Sequence, residues 1–283
     1  MKSGFAAIVG RSNVGKSTLL NTIVGTKVAI TTPKPQTTRR PIQGIVTKPE
    51  GQIVFVDTPG FMQKAKDPLT KKLTQYIENA LAELDVVVYV VDPTRDIGDE
   101  EKKMLQIVRG AKKPTLLVIN KIDDKEAERF LDFYRDLSKN FDQTIEVSAM
   151  TGFNTNLIVT WILAHLPEGE LLYPGGECTN LTMEERIAEL IREKLYLRLR
   201  DEVPYSVSVQ VEEIDERPDG TVYIKAVIFT SEKRYERMIV GQGGRGIKEI
   251  GQSTRHELEA VSDRKVYLDL RVETDSHWIE RME

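Results

Sequence analysis

Residues 10–17, GRSNVGKS, have the types and spacing of a loop that binds phosphate groups. They match the pattern G-x-x-x-x-G-K-[ST], in which glycines let several backbone N–H groups converge on one anion. Lys16 would bring a positive charge to the β- and γ-phosphates of a nucleotide, and the Ser17 hydroxyl is a candidate Mg²⁺ ligand. The residues predicted to surround the phosphates are Gly10, Arg11, Ser12, Asn13, Val14, Gly15, Lys16, Ser17 and Thr18.

Three more short motifs, DTPG, NKID and SAM, each follow an apolar run. Ligands of open α/β sheets bind beyond the carboxyl ends of the strands, so we expect these motifs beside residues 10–17. Asp57 could hold a water molecule on Mg²⁺, and the N–H of Gly60 could contact a γ-phosphate. The predicted site residues are Asp57, Thr58, Pro59, Gly60 and Phe61, then Asn120, Lys121, Ile122 and Asp123, and finally Ser148, Ala149 and Met150.

The NKID motif favours guanine over adenine. Asp123 can accept hydrogen bonds from the ring N–H and the exocyclic amine of guanine, and adenine lacks that amine. Sites that would leave a buried polar group unpaired with the wrong ligand discriminate by factors of about 10⁴ or more. The backbone of the SAM motif can support the guanine carbonyl. An ATP-dependent kinase built on the same phosphate loop is the alternative, and NKID argues against it.

A second glycine-rich stretch, VGQGGRGIKEIG, occupies residues 240–251. The spacing of Gly241, Gly243 and Gly246 matches the G-x-G-x-x-G motif of dinucleotide-binding folds. In those folds a strand precedes the glycines, whereas the preceding YERMIV has a helical pattern. The stretch also allows the G-x-x-G joint of a KH domain, whose bare backbone clamps about four nucleotides. The KH interpretation makes the candidate RNA-binding residues Gly241, Gln242, Gly243, Gly244, Arg245, Lys248 and Arg255.

Local charge agrees with a nucleic-acid partner for this stretch. Six basic and two acidic side chains lie between Lys233 and His256, a surplus of four, although the whole chain carries a net charge of −4. A run of charge by itself is often no more than a solvated face. The next helix should bury one face, made of Ile247, Ile250, Thr254, Leu258 and Val261. A helix before the glycines would place Tyr235, Met238 and Ile239 on one face.

The elements that would position the nucleotide motifs alternate along the first half of the chain. Short β-branched runs at 5–9, 52–57, 86–92, 115–120 and 144–148 predict buried strands, and 42–48 with 50–57 predicts an antiparallel hairpin at a sheet edge. Helical patterns lie near 16–24, 68–84, 98–108, 125–139 and 154–165. This alternation indicates a mainly parallel sheet with helices on both faces.

The character of the sequence changes after His165. Residues 166–180 contain two prolines and three glycines without periodicity, which is typical of a linker. The remaining pattern is α-β-β-α-α-β, with a helix at 183–199, strands at 206–213 and 222–229, and a last strand at 265–272. We therefore predict a nucleotide-binding domain over 1–166, a linker over 167–181 and an RNA-binding domain with a C-terminal tail over 182–283.

The motifs and their order resemble those of the translation-factor-like GTPases, and among them the Era-type bacterial GTPases. The resemblance rests on GRSNVGKSTLLN, PQTTRR, DTPG, NKID, SAM, LPEGELLYP, IREKLYLRLRDEVPYS and IVGQGGRGIKEIG, and covers essentially the whole chain. It implies a P-loop GTPase domain with a mixed, mostly parallel sheet, followed by a smaller α+β type II KH domain that binds small-subunit ribosomal RNA during ribosome maturation. Two positions depart from the family pattern: Ser12 replaces a proline and Gln242 replaces a lysine.

The sequence has Phe61 after Gly60, at the position where some GTPases have a glutamine that orients the attacking water. We therefore expect slow turnover and a signalling role for GTP, with Lys16, Thr38, Gly60 and Asn13 as the catalytic candidates. Thr38 is a candidate Mg²⁺ ligand that orders its segment, and an ordinary flexible loop is the alternative. In related GTPases an asparagine at the position of Asn13 helps to hold K⁺, and a loop-stabilising asparagine is the alternative.

Bulk composition agrees with a cytoplasmic globular protein. The 283 residues are 40% hydrophobic and 30% charged, and no apolar run reaches the ~18–20 residues that span a bilayer. The single cysteine, Cys178, excludes an internal disulfide. We expect a monomer that binds GTP or GDP, ribosomal RNA and the small ribosomal subunit but not DNA, with any membrane association peripheral at the inner face of the membrane. An RNA-binding structural factor that senses guanine nucleotide with little hydrolysis is the alternative.

Overall fold

The computed structural model describes residues 1–32, 42–57, 84–199 and 203–275. It divides into two compact units, Met1–Asn180 and Leu181–Glu283. Thr38 and residues 58–61 of the predicted site lie outside the described residues, as does most of the helix expected over 68–84.

The first unit contains a six-stranded sheet in the order β2-β3-β1-β4-β5-β6. Its strands are β1 (Lys2–Val9), β2 (Ile42–Lys48), β3 (Gly51–Asp57), β4 (Val86–Val91), β5 (Thr115–Ile119) and β6 (Gln143–Glu146). All neighbours are parallel except β2 and β3, which pair antiparallel at the edge. The predicted mixed sheet with an edge hairpin is confirmed.

The described helices of the first unit follow the sequence pattern with small shifts at their ends. They are α1 (Lys16–Val24), α2 (Asp99–Gly110), α3 (Glu128–Leu137) and α4 (Thr155–His165). The stretch expected as one helix over 125–139 is divided, because 3₁₀ turns at Lys125–Ala127 and Ser138–Asn140 flank α3. Every residue of β3 and β4 is buried, as expected for central strands covered on both faces.

The segment expected as a linker is largely hydrogen bonded to the first unit. The Ser3 N–H donates to the carbonyl of Pro167 at 3.0 Å, and the Ile45 N–H donates to the carbonyl of Cys178 at 2.9 Å. The Gln52 side chain accepts from the N–H groups of Leu172 and Tyr173. Strand β2 is an edge strand whose backbone groups need partners, and residues 167–180 supply some of them. The unit boundary consequently falls after Asn180.

The second unit has the predicted order of elements. These are α5 (Met183–Arg198), β7 (Val207–Glu216), β8 (Val222–Thr230), α6 (Lys233–Val240), α7 (Arg245–Ser262) and β9 (Val266–Thr274), with 3₁₀ turns at Val203–Ser206 and Gln242–Gly244. The sheet order is β7-β8-β9, with β8 and β9 parallel. A core that includes Ile191, Ala226 and Ile250 joins the helices to one face of this sheet.

One residue predicted to be buried in this unit is exposed. Val261, in the last turn of α7, is 71% exposed, whereas Ile250 and Thr254 are buried as predicted. On the apolar face of α6, Ile239 is buried and Met238 is 51% exposed. The apolar period therefore identified the correct faces, but a face is buried only as far as neighbouring elements cover it.

A candidate nucleotide site and a candidate nucleic-acid interface

The phosphate loop, residues 10–17, connects β1 to α1 and needs glycine at both ends. Gly15 has φ +97°, and a Cβ placed there would lie 2.3 Å from Nδ2 of Asn120. A Cβ on Gly10 would lie 2.4 Å from the carbonyl oxygen of Val90. The two glycines of the motif therefore allow the loop to pack against the ends of β4 and β5, which fixes its path.

Five consecutive carbonyls of the phosphate loop accept hydrogen bonds from side chains. Lys16 Nζ donates to the carbonyls of Gly10 and Arg11 at 3.1 and 2.8 Å. Arg95 donates to the Ser12 carbonyl at 2.6 Å, and Lys121 donates to the Asn13 carbonyl at 3.1 Å. Asn120 donates to the Val14 carbonyl at 2.9 Å. A trans peptide directs its C=O and its N–H to opposite sides. Each held carbonyl therefore turns the N–H group of the same peptide away from its donor, and N–H groups oriented in this way can bind an anion.

Lys16 is buried at the base of this loop. Burial lowers the pKa of its ammonium group to about 8, with Asp57 opposing the shift and Arg95 adding to it. An opposite charge such as a phosphate favours the protonated form and would raise the pKa again. The lysine is therefore placed where its charge matters most to an anionic ligand.

Ser17 and Asp57 meet at the carboxyl edge of the sheet. Oγ of Ser17 donates to Oδ2 of Asp57 at 2.8 Å, and Asp57 is fully buried at the end of β3. A hydroxyl and a carboxylate are hard oxygen ligands of the kind that Mg²⁺ binds together with substrate phosphates. These two residues fit the predicted magnesium site.

Asn120 joins three of the predicted motifs. Its Nδ2 donates to Val14 O in the phosphate loop at 2.9 Å, and its Oδ1 accepts from the Ala149 N–H of the SAM motif at 2.9 Å. Asn120 is 1% exposed, whereas the neighbouring Asp123 is exposed. The structure therefore brings the phosphate loop, NKID and SAM together and leaves the Asp123 carboxylate accessible to a base. Met150 is 79% exposed at the rim.

Several residues of the site were not identified from the sequence. Asp92, at the end of β4, accepts from Lys121 Nζ at 2.6 Å and is 2% exposed. Thr22 donates to the carbonyl of Ala149 at 2.6 Å. The same rule that selected Asp57 could have selected Asp92, because it too is an acid that ends an apolar strand. The side chain of Arg11 donates to Glu100 on α2 at 3.1 Å, while its carbonyl remains part of the phosphate loop.

The glycine joint, residues 241–244, connects α6 to α7. Gly241, Gly243 and Gly244 have φ of +70°, +59° and +77°, and a Cβ on Gly243 or Gly244 would meet nothing within 4 Å. The open side of the joint is thus accessible to a ligand backbone. The dinucleotide interpretation is excluded, because a helix rather than a strand precedes the glycines. Gly246 serves packing, since a Cβ there would lie 2.2 Å from the Ile239 carbonyl.

A cleft of about 550 Å³ lies between α7, the helix that follows this joint, and β9. Two predicted RNA-binding residues, Lys248 and Arg255, line it, and Arg245 is not among its lining residues. The other lining residues are Ile247, Gly251, Gln252, Tyr267, Leu268 and Leu270. Tyr267, which is 53% exposed, was missed from the sequence, although an aromatic side chain at an outward strand position is a signal for base stacking. The cleft combines cationic and aromatic groups that suit a single nucleic-acid strand.

Among the helices that the structure describes, none has both the length and the apolar character needed to cross a bilayer.

Comparison with known proteins gives matches in both units. A family model described as 50S ribosome-binding GTPase matches residues 5–121, and a KH domain model matches residues 202–279. The GTPase Era of Halothermothrix orenii is 40% identical over 285 residues, covering 99% of this chain and 95% of the relative.

Two solved structures align with nearly the whole chain. One is a variant of Aquifex aeolicus Era bound to GDP·AlF4⁻, and the other is Era in complex with MgGDPNP and nucleotides 1506–1542 of 16S ribosomal RNA. Each has a TM-score of 0.88 and 36% identity, and each alignment covers 99% of this chain and 96% of the solved chain.

Proposed function

Because this chain belongs to the Era family of GTPases, we propose that GTP binding and hydrolysis in its first unit control binding of small-subunit ribosomal RNA by its second unit. The process served would be maturation of the small ribosomal subunit. One observation carries the proposal: a guanine-nucleotide site and a KH-type glycine joint beside a cleft occur in one chain that aligns with Era over 99% of its length.

In the nucleotide site, each group has a defined task. The N–H groups of the phosphate loop and Lys16 bind the phosphates, and Asp123 selects guanine while Asn120 holds the surrounding motifs together. Ser17 and Asp57, with Thr38, would hold Mg²⁺, the Asp57 contact being made through water. The bound ion would neutralise charge on the β- and γ-phosphates. Support for this assignment comes from the hydrogen bond between Ser17 and Asp57.

Turnover without a partner is expected to be slow, because Phe61 cannot orient water as a glutamine does. The alternative is an RNA-binding factor that senses guanine nucleotide with little hydrolysis. Single-turnover hydrolysis, measured with and without small ribosomal subunits, separates the two. Faster hydrolysis with subunits supports a GTPase switch, and no hydrolysis in either condition supports the alternative.

Asn13 is our candidate for a K⁺ ligand in this site. It lies at the exposed tip of the phosphate loop with φ +64°, and Lys121 holds its carbonyl, so its backbone is fixed while its side chain remains near solvent. K⁺ would supply positive charge beside the phosphates. Hydrolysis should be faster in potassium than in sodium buffer, and Asn13→Ala should remove the difference. Equal rates of the unaltered protein in both buffers would eliminate K⁺.

RNA would bind along the glycine joint and the adjoining cleft. The bare backbone of Gly241, Gly243 and Gly244 would admit the sugar-phosphate chain, while Lys248 and Arg255 would attract phosphates. Gln242 and Arg245 complete the set of proposed contacts. A cytoplasmic monomer, with any membrane contact peripheral, is the simplest form of such a protein, and light scattering measures its mass.

The experiment that tests RNA binding compares two glycine substitutions. Gly243→Asp should place a carboxylate where the RNA backbone passes, and aspartate tolerates the left-handed φ of +59°. Gly220→Asp is the matched control, because Gly220 has φ +80° and open space in the turn between β7 and β8. The probe is an RNA with nucleotides 1506–1542 of 16S ribosomal RNA. Binding should weaken at least about tenfold for Gly243→Asp, which is 1.4 kcal/mol, and stay unchanged for Gly220→Asp. Equal binding by both variants would refute the RNA site.

A further inference from the structure

Two cationic side chains from outside the phosphate loop donate hydrogen bonds to neighbouring carbonyls of the loop. NH1 of Arg95 donates to the Ser12 carbonyl at 2.6 Å, and Nζ of Lys121 donates to the Asn13 carbonyl at 3.1 Å. Lys121 belongs to the NKID motif, but Arg95 lies in the turn that follows β4 and belongs to none of the nucleotide motifs. The contribution of Arg95 to the site therefore needs its own explanation.

One buried carboxylate, that of Asp92, orients both cations. Its Oδ1 accepts from the Thr94 N–H at 3.0 Å and from the Thr94 hydroxyl at 2.7 Å, which shapes the turn that presents Arg95. Its Oδ2 accepts from Lys121 at 2.6 Å. Asp92 is 2% exposed, so the position of this carboxylate is fixed by packing as well as by hydrogen bonds.

The two peptide groups that accept these hydrogen bonds lie at the centre of the phosphate loop. The peptide between Ser12 and Asn13 and the peptide between Asn13 and Val14 each have the carbonyl held outward, which points the N–H groups of Asn13 and Val14 to the opposite side. Asn13 has φ +64°, a left-handed conformation that asparagine adopts more readily than most residues other than glycine. The hydrogen bonds to the Ser12 and Asn13 carbonyls help to hold this conformation.

We propose that Arg95 is a positioning residue of the GTPase site. Oriented by Asp92 and Thr94, it holds the Ser12 carbonyl outward and so keeps the phosphate loop in the form that binds the β-phosphate. The inference rests on the nucleotide site described above. The unaltered protein must bind GDP, and if it does not, the proposed function fails before this inference is tested.

The first test measures the affinities of an Arg95→Met variant for GDP and GMP by isothermal titration. The N–H groups of a phosphate loop bind the α- and β-phosphates, and GMP lacks the β-phosphate. Loss of the Arg95 hydrogen bond should weaken GDP binding about tenfold, or 1.4 kcal/mol, and should weaken GMP binding less. Arg109→Met is the matched control, because Arg109 is exposed at the end of α2, and both of its affinities should remain those of the unaltered protein. An unchanged ratio of GDP to GMP affinity in Arg95→Met would overturn the proposal.

A second test distinguishes positioning from direct attraction between the Arg95 charge and the phosphates. Thr94→Val removes the hydroxyl that bonds Asp92 and leaves the charge of Arg95 intact. If Thr94 acts through Arg95, Thr94→Val weakens GDP binding in the unaltered protein but not in an Arg95→Met background. Equal effects of Thr94→Val in the two backgrounds, or none in either, would refute the positioning role.

Discussion

Protonation of Lys16 should make GDP binding depend on pH in a way that the geometry of the phosphate loop dictates. Burial lowers the pKa of Lys16 to about 8. Phosphate groups beside the ammonium group would raise that pKa, because they stabilise its charged form. GDP therefore binds the protonated lysine, and above pH 8 binding must take up a proton.

The magnitude follows from the two protonation states. With a pKa of about 8 in the free protein, the protonated fraction of Lys16 falls from about 0.9 at pH 7 to about 0.25 at pH 8.5. If the bound lysine stays protonated over this interval, the apparent affinity for GDP falls about fourfold. A lysine with its ordinary pKa of 10.5 would give almost no change.

Isothermal titration of GDP in metal-free buffer at pH 7 and at about pH 8.5 measures both the affinity and the proton uptake. Two buffers of different ionisation enthalpy give the number of protons, expected to rise from about 0.1 to about 0.75 per GDP. An affinity that stays constant, with no proton uptake at the higher pH, would refute the argument that burial lowers the pKa of Lys16. The free energy of unfolding depends on the same pKa. Because the pKa of Lys16 is lower in the folded state than in the unfolded state, burial of its charge destabilises the fold below pH 8. This destabilisation is lost as the pH rises toward 10.5.

Three other substitutions, two of them paired with a control substitution, have outcomes that the structure specifies. Asp123→Asn should weaken GTP binding by a factor of about 10³ or more and favour xanthine nucleotides, and undiminished GTP binding in a competition assay would contradict the guanine assignment. Gly15→Ala should abolish tight GDP binding, because the added Cβ lies 2.3 Å from a side-chain nitrogen of NKID, whereas Gly110→Ala, with nothing within 4 Å, should not. Ile250→Ala should lower the free energy of unfolding of the second unit by about 2–5 kcal/mol. Val261→Ala, at a position 71% exposed, should change it little, and equal losses in denaturant titrations would contradict the burial pattern.

The nucleotide site was predictable in its main parts because its signals are local. The spacing of the phosphate loop specifies a turn between a strand and a helix, and the apolar runs before Asp57, Asn120 and Ser148 specify strands whose ends share one edge of the sheet. The predicted fold of both units is confirmed for the same reason. Each element is encoded by residues that are neighbours in sequence.

Neither the exposure of Val261 nor the packing of residues 167–180 against the first unit could be predicted from the local sequence pattern. The period of α7 continues through Val261, but burial ends where the other elements of the second unit stop covering the helix. Prolines and glycines made 167–180 resemble a free linker, yet the edge strand β2, more than 120 residues earlier in the chain, binds it where the Ile45 N–H donates to the Cys178 carbonyl. Both outcomes depend on surfaces that exist only after the units have formed.

The sequence by itself determined which residues can bind phosphate, recognise guanine and admit an RNA backbone, because those abilities belong to residue types at fixed short spacings. Only the tertiary structure decided how the phosphate loop is held in shape. Ser12 accepts from an arginine 83 positions away, and Val14 accepts from an asparagine 106 positions away. Such pairs form where strands that are distant in sequence end at a common edge of the sheet. The spacing of residues along the chain does not predict which of them will pair there.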